Sequence, residues 1–420
     1  AGRDVISTAD LTATDGSIEI IAGRDATLAR LAAGPGVSSV NVNAGNDVTL
    51  NGTVDAWFVI IDAKNNATLN DDVTGEKRVH ASAAEGDLVV NGDVTANGTF
   101  VELLAGRDAE INGNINATNG LYGKATITAK NNATINGTIK AGGVAATATE
   151  GDLLIAGDVT STRNIHDDAT TFTAGRDVKI DGSVTSAGRK NATIITAGRD
   201  IIATADIANA DESITATAGR DVEFAKLTAE NGDLTVTAKD NATFDGAVSA
   251  SAVAITATEG DVVVNGTVEG STVAIEATAG NVKATSAIAA TATDVKIKAG
   301  RDAELAKLTA NGLGVVDVVA KNNVALNGEA SATMVSVNAQ EGDIVANEAI
   351  TATHTLELRA GGDATVNGSL DASIAIVEAK NNALIDGAVS ANTVAITAAE
   401  GDVVIKDVVA ANDGSGKFVA

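Results

Sequence analysis

A dozen residues recur along the whole chain: AGRDATLARLAA at 22, AGNDVTLNGTVDA at 44, AGRDAEINGNINA at 105, AGRDVKIDGSVTSA at 174 and AGRDAELAKLTA at 299. Short-period self-similarity constrains a fold more than any other sequence feature, because each unit must pack against copies of itself. Aligned on the last letter of the short signature that opens each of them, the units bring Asp4, Asp25, Asp47, Asn66, Asp87, Asp108, Asn132, Asp152, Asp177, Asp200, Asp221, Asn241, Asp261, Asn281, Asp302, Asn323, Asp343, Asp363, Asn382 and Asp402 to one position. All twenty are Asp or Asn, and the steps between them run from 19 to 25 residues, mostly 20 or 21. Three signature spellings alternate: AGND at 44, KNN at 64 and EGD at 85; AGRD at 105, KNN at 130 and EGD at 150; AGRD at 299, KNN at 321 and EGD at 341; AGGD at 360, KNN at 380 and EGD at 400. The middle departs from this order, with AGRD at 174, 197 and 218 in succession.

Inside AGNDVTLNGTVDAWFVIIDA the apolar residues alternate: Val48 with Leu50, then Val54 with Ala56, then Val59, Ile61 and Ala63, with a break at Asn51-Gly52. Period two predicts three short strands separated by corners and excludes a helix. The signature and the NG pair are read as turns whose Gly, Asn and Asp enter positive φ cheaply. AKL at 225–227 and 306–308 has no Gly, so that corner must also accept ordinary φ. Three strands in some 20 residues cannot bury their own apolar face, but wound as coils they stack in parallel register. The sequence therefore predicts an all-β, right-handed parallel β-helix of about twenty coils of about 20 residues, one domain over 1–420 and on the order of 95 Å long. Each signature Asp or Asn then lies over its own kind, where a short polar side chain accepts from turn N–H groups that the sheet leaves unpaired. The twenty positions are assigned to structure, as a turn ladder, with Asn and the signature cations relieving repulsion between stacked Asp.

Composition agrees. Aromatics are 2% of the residues, so small and β-branched side chains must fill the interior, and the single Pro leaves nearly every N–H available to a ladder. A charge of −26 disfavours nucleic acid and anionic membranes as partners, and no apolar run approaches a bilayer span. The absence of Cys removes disulfides, thiolate metal sites and Cys nucleophiles. AGRDVISTAD has no basic start followed by an apolar run, and the chain opens on a signature, so it reads as a piece of something longer whose coil either continues or stacks end to end on another molecule.

The AGRDV-x-I signatures, NG turns and V-x-I-x-A strands resemble the repeat region of filamentous haemagglutinin-like adhesins, large bacterial exoproteins of two-partner secretion. That resemblance covers all twenty units and implies a chain that is exported, winds into a β-helical fibre outside the cell and projects from its surface. The amino-terminal secretion domain of that family is not among these residues, and the three-coil order is tidier than in a typical member. The expected function is the shaft of a bacterial surface adhesin, extracellular or on the cell surface, meeting a receptor or glycan on a host or neighbouring cell. A filament or sheath subunit that self-associates end to end is the first alternative, and a polysaccharide-cleaving β-helix enzyme the second.

No catalytic, cofactor or metal residue is assigned. A cleaving groove needs long loops and aromatics, yet the two long steps, around 114–123 and 161–168, supply only Tyr122 and His166. His80 and His354 stand alone in chain order and are read as solvated. Calcium at Asp71-Asp72 or Asp167-Asp168 is a minor alternative; the nine-residue GGxGxD spacing of calcium rolls is missing. Ten N-x-S/T sequons occur, at Asn51, Asn66, Asn97, Asn116, Asn132, Asn136, Asn191, Asn241, Asn265 and Asn367. Most follow from NG-plus-Thr or signature-plus-Ala-Thr spelling; Asn97, Asn116 and Asn191 fall between the regular turns and are the candidate glycan acceptors. Trp57 and Phe58 are adjacent, and alternation sends them to opposite faces, one of them outside.

Overall fold

The computed structural model describes residues 2–118, 123–162 and 169–419. The chain divides into two compact units, Ala1–Thr217 and Ala218–Ala420. Ten of the signature positions fall in each. Both units are all-β, with parallel strands stacked as the turns of a β-solenoid, and no helix occurs among the described residues.

One turn of the first unit shows the construction. Ala109–Ile111, Ile115–Ala117 and Lys124–Ala129 lie in parallel register on Ala133–Ile135, Ile139–Ala141 and Gly143–Ala148 of the next turn. In the second unit Val262–Val264, Val268–Gly270 and Thr272–Ala277 lie in the same way on Val282–Ala284, Ile288–Ala290 and Val295–Ala299. The predicted three strands per repeat are thus present, and each alternates buried and outward residues. In some turns the second and third strands run on round the corner as one, as in Val73–Ala83 and Ile350–Ala360.

Stacking puts like on like. Leu28, Leu50, Leu69, Val90, Ile111, Ile135, Ile155 and Ile180 form one column through the first unit, each in register with the next. All eight are essentially inaccessible, so each contributes roughly 1.5–3 kcal/mol of burial. Where the third strand meets the signature the column is alanine, Ala44, Ala63, Ala83, Ala105 and Ala129 in succession, and no larger side chain occurs there.

The corners differ from expectation in one respect. Among the described residues only Gly16, Gly36, Gly188, Gly312 and Lys190 have positive φ; Gly312, in Asn311-Gly312, lies between second and third strands, and none is a signature glycine or a glycine of the NG corner between first and second strands. Those glycines answer instead to close stacking: a Cβ on Gly52 would lie 2.7 Å from the Arg30 amide nitrogen of the turn below, and one on Gly86 would lie 2.5 Å from the Asn65 carbonyl oxygen. The continuous strand Val222–Ala229 confirms that the corner at 225–227 needs no glycine.

Candidate functional site

Within each unit every signature Asp or Asn but the last accepts a hydrogen bond from the backbone N–H of its counterpart one turn on. In the first unit the nine such bonds span 2.9–3.4 Å. In the second, nine more span 2.7–3.1 Å. Neighbouring turns place these N–H groups at a corner, where no strand carbonyl reaches them, so the Oδ1 atom takes that place.

The order of signature spellings follows from which groups meet. A KNN turn follows an AGxD turn, and its Asn amide donates a second bond to the Asp below: Asn66 to Asp47 at 3.1 Å, Asn132 to Asp108 at 3.0 Å, Asn323 to Asp302 at 2.8 Å and Asn382 to Asp363 at 3.0 Å. An EGD turn comes next because the Asn Oδ1 now fills the corner, leaving no room for a side chain: a Cβ on Gly86, Gly151, Gly260 or Gly342 would sit 2.5 Å from the Oδ1 of Asn66, Asn132, Asn241 or Asn323. Its Glu faces the preceding Lys, as in Lys64–Glu85 at 3.9 Å and Lys239–Glu259 at 3.6 Å. These exposed pairs contribute little. An AGRD turn after EGD sets a guanidinium on the lower Asp, as in Arg107–Asp87 at 2.8 Å and Arg176–Asp152. The hydrogen bond from Arg176 is the main reason that the Asp152 carboxyl titrates below its ordinary range. For Asp25 the Asn46 side-chain amide is the leading cause of the same downward shift.

Two further ladders are not evident from the repeat spelling alone. In the first unit the Asn that stands before the second strand donates to the Asn one turn earlier: Asn70 to Asn51, Asn91 to Asn70, Asn112 to Asn91 and Asn136 to Asn112, at 2.9, 2.9, 3.0 and 2.7 Å. The letter after the NG glycine forms the other: Asp93 N–H donates to Asp72 Oδ1 at 2.8 Å, Asn114 N–H to Asp93 Oδ1 at 2.8 Å and Thr138 N–H to Asn114 Oδ1 at 3.0 Å. A signal for it exists, since that letter is Thr, Asp, Asn or Ser in NGT, NGD, NGN and NGS.

The three candidate glycan acceptors part company. Asn97 is exposed at a corner, its amide 3.2 Å from Glu76, and Asn116 is half-buried in Ile115–Ala117. Asn191 must be withdrawn. It is fully buried, its amide donating to Ser161 Oγ at 2.6 Å and its Oδ1 accepting from Thr170 Oγ1 at 3.0 Å, so no glycan can be carried there. Asp71 and Asp72 act as turn acceptors, and Asp167 and Asp168, like Tyr122 and His166, lie outside the described residues. Among the described residues no three His, Asp or Glu side chains are grouped to hold a metal ion.

His80 is not the solvated histidine expected. Its side chain is 17% exposed and stands between two carboxylates of adjacent turns, Nδ1 2.9 Å from Glu102 and Nε2 3.2 Å from Asp62. Ser82 donates to the same Asp62 at 2.6 Å, and Arg78 pairs with Glu102. Partial burial works against charge on Glu102, but hydrogen bonds from His80 and Arg78 outweigh it and hold the carboxyl below its ordinary range. Trp57 and Phe58 are both half-buried on the outside, because Val54–Ala63 rounds a corner there and its pairing with Val73–Ala83 slips between Gly75 and Arg78. In the second unit the outward residues Glu276, Lys296, Lys298 and Asp317 line a shallow depression, with Lys298 on Glu276 at 2.7 Å. Comparison with protein-family models, curated proteins and solved structures finds no match.

Proposed function

We propose that the chain is the shaft of an extracellular bacterial fibre of the surface-adhesin kind, giving reach and stiffness and carrying attachment to a receptor or glycan on another cell. The observation that supports this reading is the unbroken Asp/Asn ladder within each unit, in which every turn is tied to the next by a side-chain bond in addition to three strand pairings. Such a chain resists load by repetition: pulling on one turn is opposed by parallel main-chain ladders and by a corner acceptor, and the next turn repeats both. Local contacts alone hold it, so a turn that opens can rewind on its neighbour. The outward faces are free to carry attachment without altering the core columns.

The test is single-molecule pulling on the chain held at its two ends, together with adherence of beads coated with it to epithelial and bacterial cells. The shaft reading expects reversible steps of one or a few turns, each turn of some 20 residues releasing roughly 70 Å, and specific adherence. One irreversible event per unit at low force overturns the mechanical role. Beads that adhere no better than bare ones overturn the attachment role.

A further inference from the structure

The chain has six Phe, one Trp and one Tyr. Phe172, Phe224 and Phe244 are core residues. Of the aromatic side chains described, the other three, Trp57, Phe58 and Phe100, are all on the outer surface, within three successive turns of the first unit. Phe58, Arg78, Phe100 and Lys124 are in register one above another, so aromatic rings and cations alternate up one column. His80, Glu102 and Thr126 form the adjacent column. Two shallow depressions flank this corner. One, of about 310 Å³, is lined by Arg78, Phe100, Glu102, Lys124 and Thr126, and the other, of about 440 Å³, by Pro35, Asp55, Trp57 and Glu76. Both volumes lie at the lower end of the range for small-ligand sites.

Arg78 adds an independent sign. Signature arginines such as Arg24 engage a carboxylate through both Nε and Nη2, at 2.9 and 2.8 Å. Arg78 uses Nη2 alone on Glu102, and its Nε is buried without an acceptor. A small rotation of the guanidinium would offer that donor to a ligand oxygen and remove an unsatisfied group. We infer that this face binds an uncharged glycan, its sugar rings lying on Phe100 and Trp57 and its hydroxyls bonded to Arg78, Glu102 and Thr126. A pyranose offers what the patch asks for, an apolar C–H face beside hydroxyls that both donate and accept. Polyanionic glycans are disfavoured, because Asp55, Asp62, Glu76 and Glu102 stand among the cations and the whole chain carries −26. This deepens the attachment half of the proposed function and is independent of its mechanical half.

Trp57 is the only tryptophan, so its fluorescence reports on the patch. The experiment titrates the chain with maltohexaose, cellohexaose, N-acetylchitohexaose and heparin, following Trp57 emission and saturation transfer to ligand protons. At least one uncharged oligosaccharide should bind, and Phe100→Ala and Arg78→Gln should each weaken it about fivefold or more. Ile194→Ala, at an exposed apolar residue elsewhere on the unit, should change nothing. Phe100→Leu, which keeps an apolar side chain but no ring, guards against loss of fold and should weaken binding as Phe100→Ala does. Binding of heparin alone, of no oligosaccharide, or equally by the Phe100 variants overturns the inference. If bead adherence and stepwise unfolding survive that result, attachment lies elsewhere on the chain.

Discussion

Asp47 is the sharpest point at which to break the Asp/Asn ladder. Its Oδ1 accepts from the Asn66 N–H at 2.9 Å, the Asn66 amide at 3.1 Å and the Asn65 amide at 3.0 Å. Asp47→Ala removes these three bonds and the one that Oδ2 accepts from the Asn46 amide at 3.1 Å, and leaves the Asn66 N–H facing a methyl group. A bond to a charged acceptor is worth about 1.5–3 kcal/mol, but the corner is only part-buried and water can reach the side-chain amides, so the net loss should be about 2 kcal/mol. Asp47→Asn keeps an oxygen for the Asn66 N–H and should cost about 0.5 kcal/mol or less. Asp55, exposed and outside the ladder, provides the control, for which Asp55→Ala should fall within about 0.5 kcal/mol of zero. Because a solenoid opens turn by turn, a global midpoint blurs the effect, and hydrogen exchange is the better assay. A loss of about 2 kcal/mol corresponds to roughly 30-fold faster exchange at Asn66 and in the adjoining strand Ala67–Leu69. Equal exchange in Asp47→Ala and Asp55→Ala, or an Asn variant as damaged as the Ala variant, would refute the role given to the acceptor.

The remaining expectations use other parts of the molecule. Gly86→Ala should destabilise the first unit by about 1–3 kcal/mol in chemical unfolding, since the added methyl meets the Asn66 Oδ1 and the Asn65 carbonyl, and Asn66→Ala should relieve part of that cost. Phe224 and Phe244 stack with centroids 6.1 Å apart in the core of the second unit, and Phe224→Ala should cost about 3–5 kcal/mol by the same measurement. Asn91→Asp should destabilise more at pH 7 than at pH 3, because an ionised carboxylate has no proton to donate to Asn70 Oδ1. Asp25, Asp152 and Glu102 all titrate below their ordinary values in the folded chain. The unfolded chain therefore takes up their protons first, and the stability these groups give, present in full above about pH 5, is lost as pH falls through the unfolded and then the lower folded values. Urea midpoints that stay level or rise from pH 5 to pH 3 would contradict this.

How much of the molecule can be read from the sequence depends on where the period is regular. The core columns and the Asp/Asn ladder are legible because identical letters recur at the same phase, and stacking like on like is all that the fold then requires. The corner chemistry is half legible. The NG glycines stand out as letters and suggest positive φ, whereas the structure shows backbone pressed against backbone from the turn below, a contact that exists only once the coils are stacked. The neighbouring Asn and the polar letter after Gly look like ordinary turn spelling, although each is a hydrogen-bond column of its own.

The His80 cluster is illegible for a reason that the signatures themselves explain. From the last core alanine to the signature Asp or Asn there are three steps in AGRD and AKNN, as from Ala63 to Asn66 and from Ala105 to Asp108, but four in AAEGD, from Ala83 to Asp87. The EGD corner holds one extra residue, so alignment on the signature slips the preceding strand by one place in every EGD turn. One place in a strand exchanges inward for outward, and Asp62, Ser82, His80 and Glu102 then no longer line up. Strand pairing restores them: Ala63, Ala83 and Ala105 are in register, which sets Asp62 beside Ser82 and His80 beside Glu102. The outer surface of such a repeat is therefore to be read from its core alanines, which the interior fixes, and not from its corners, which the chain can lengthen without moving a strand.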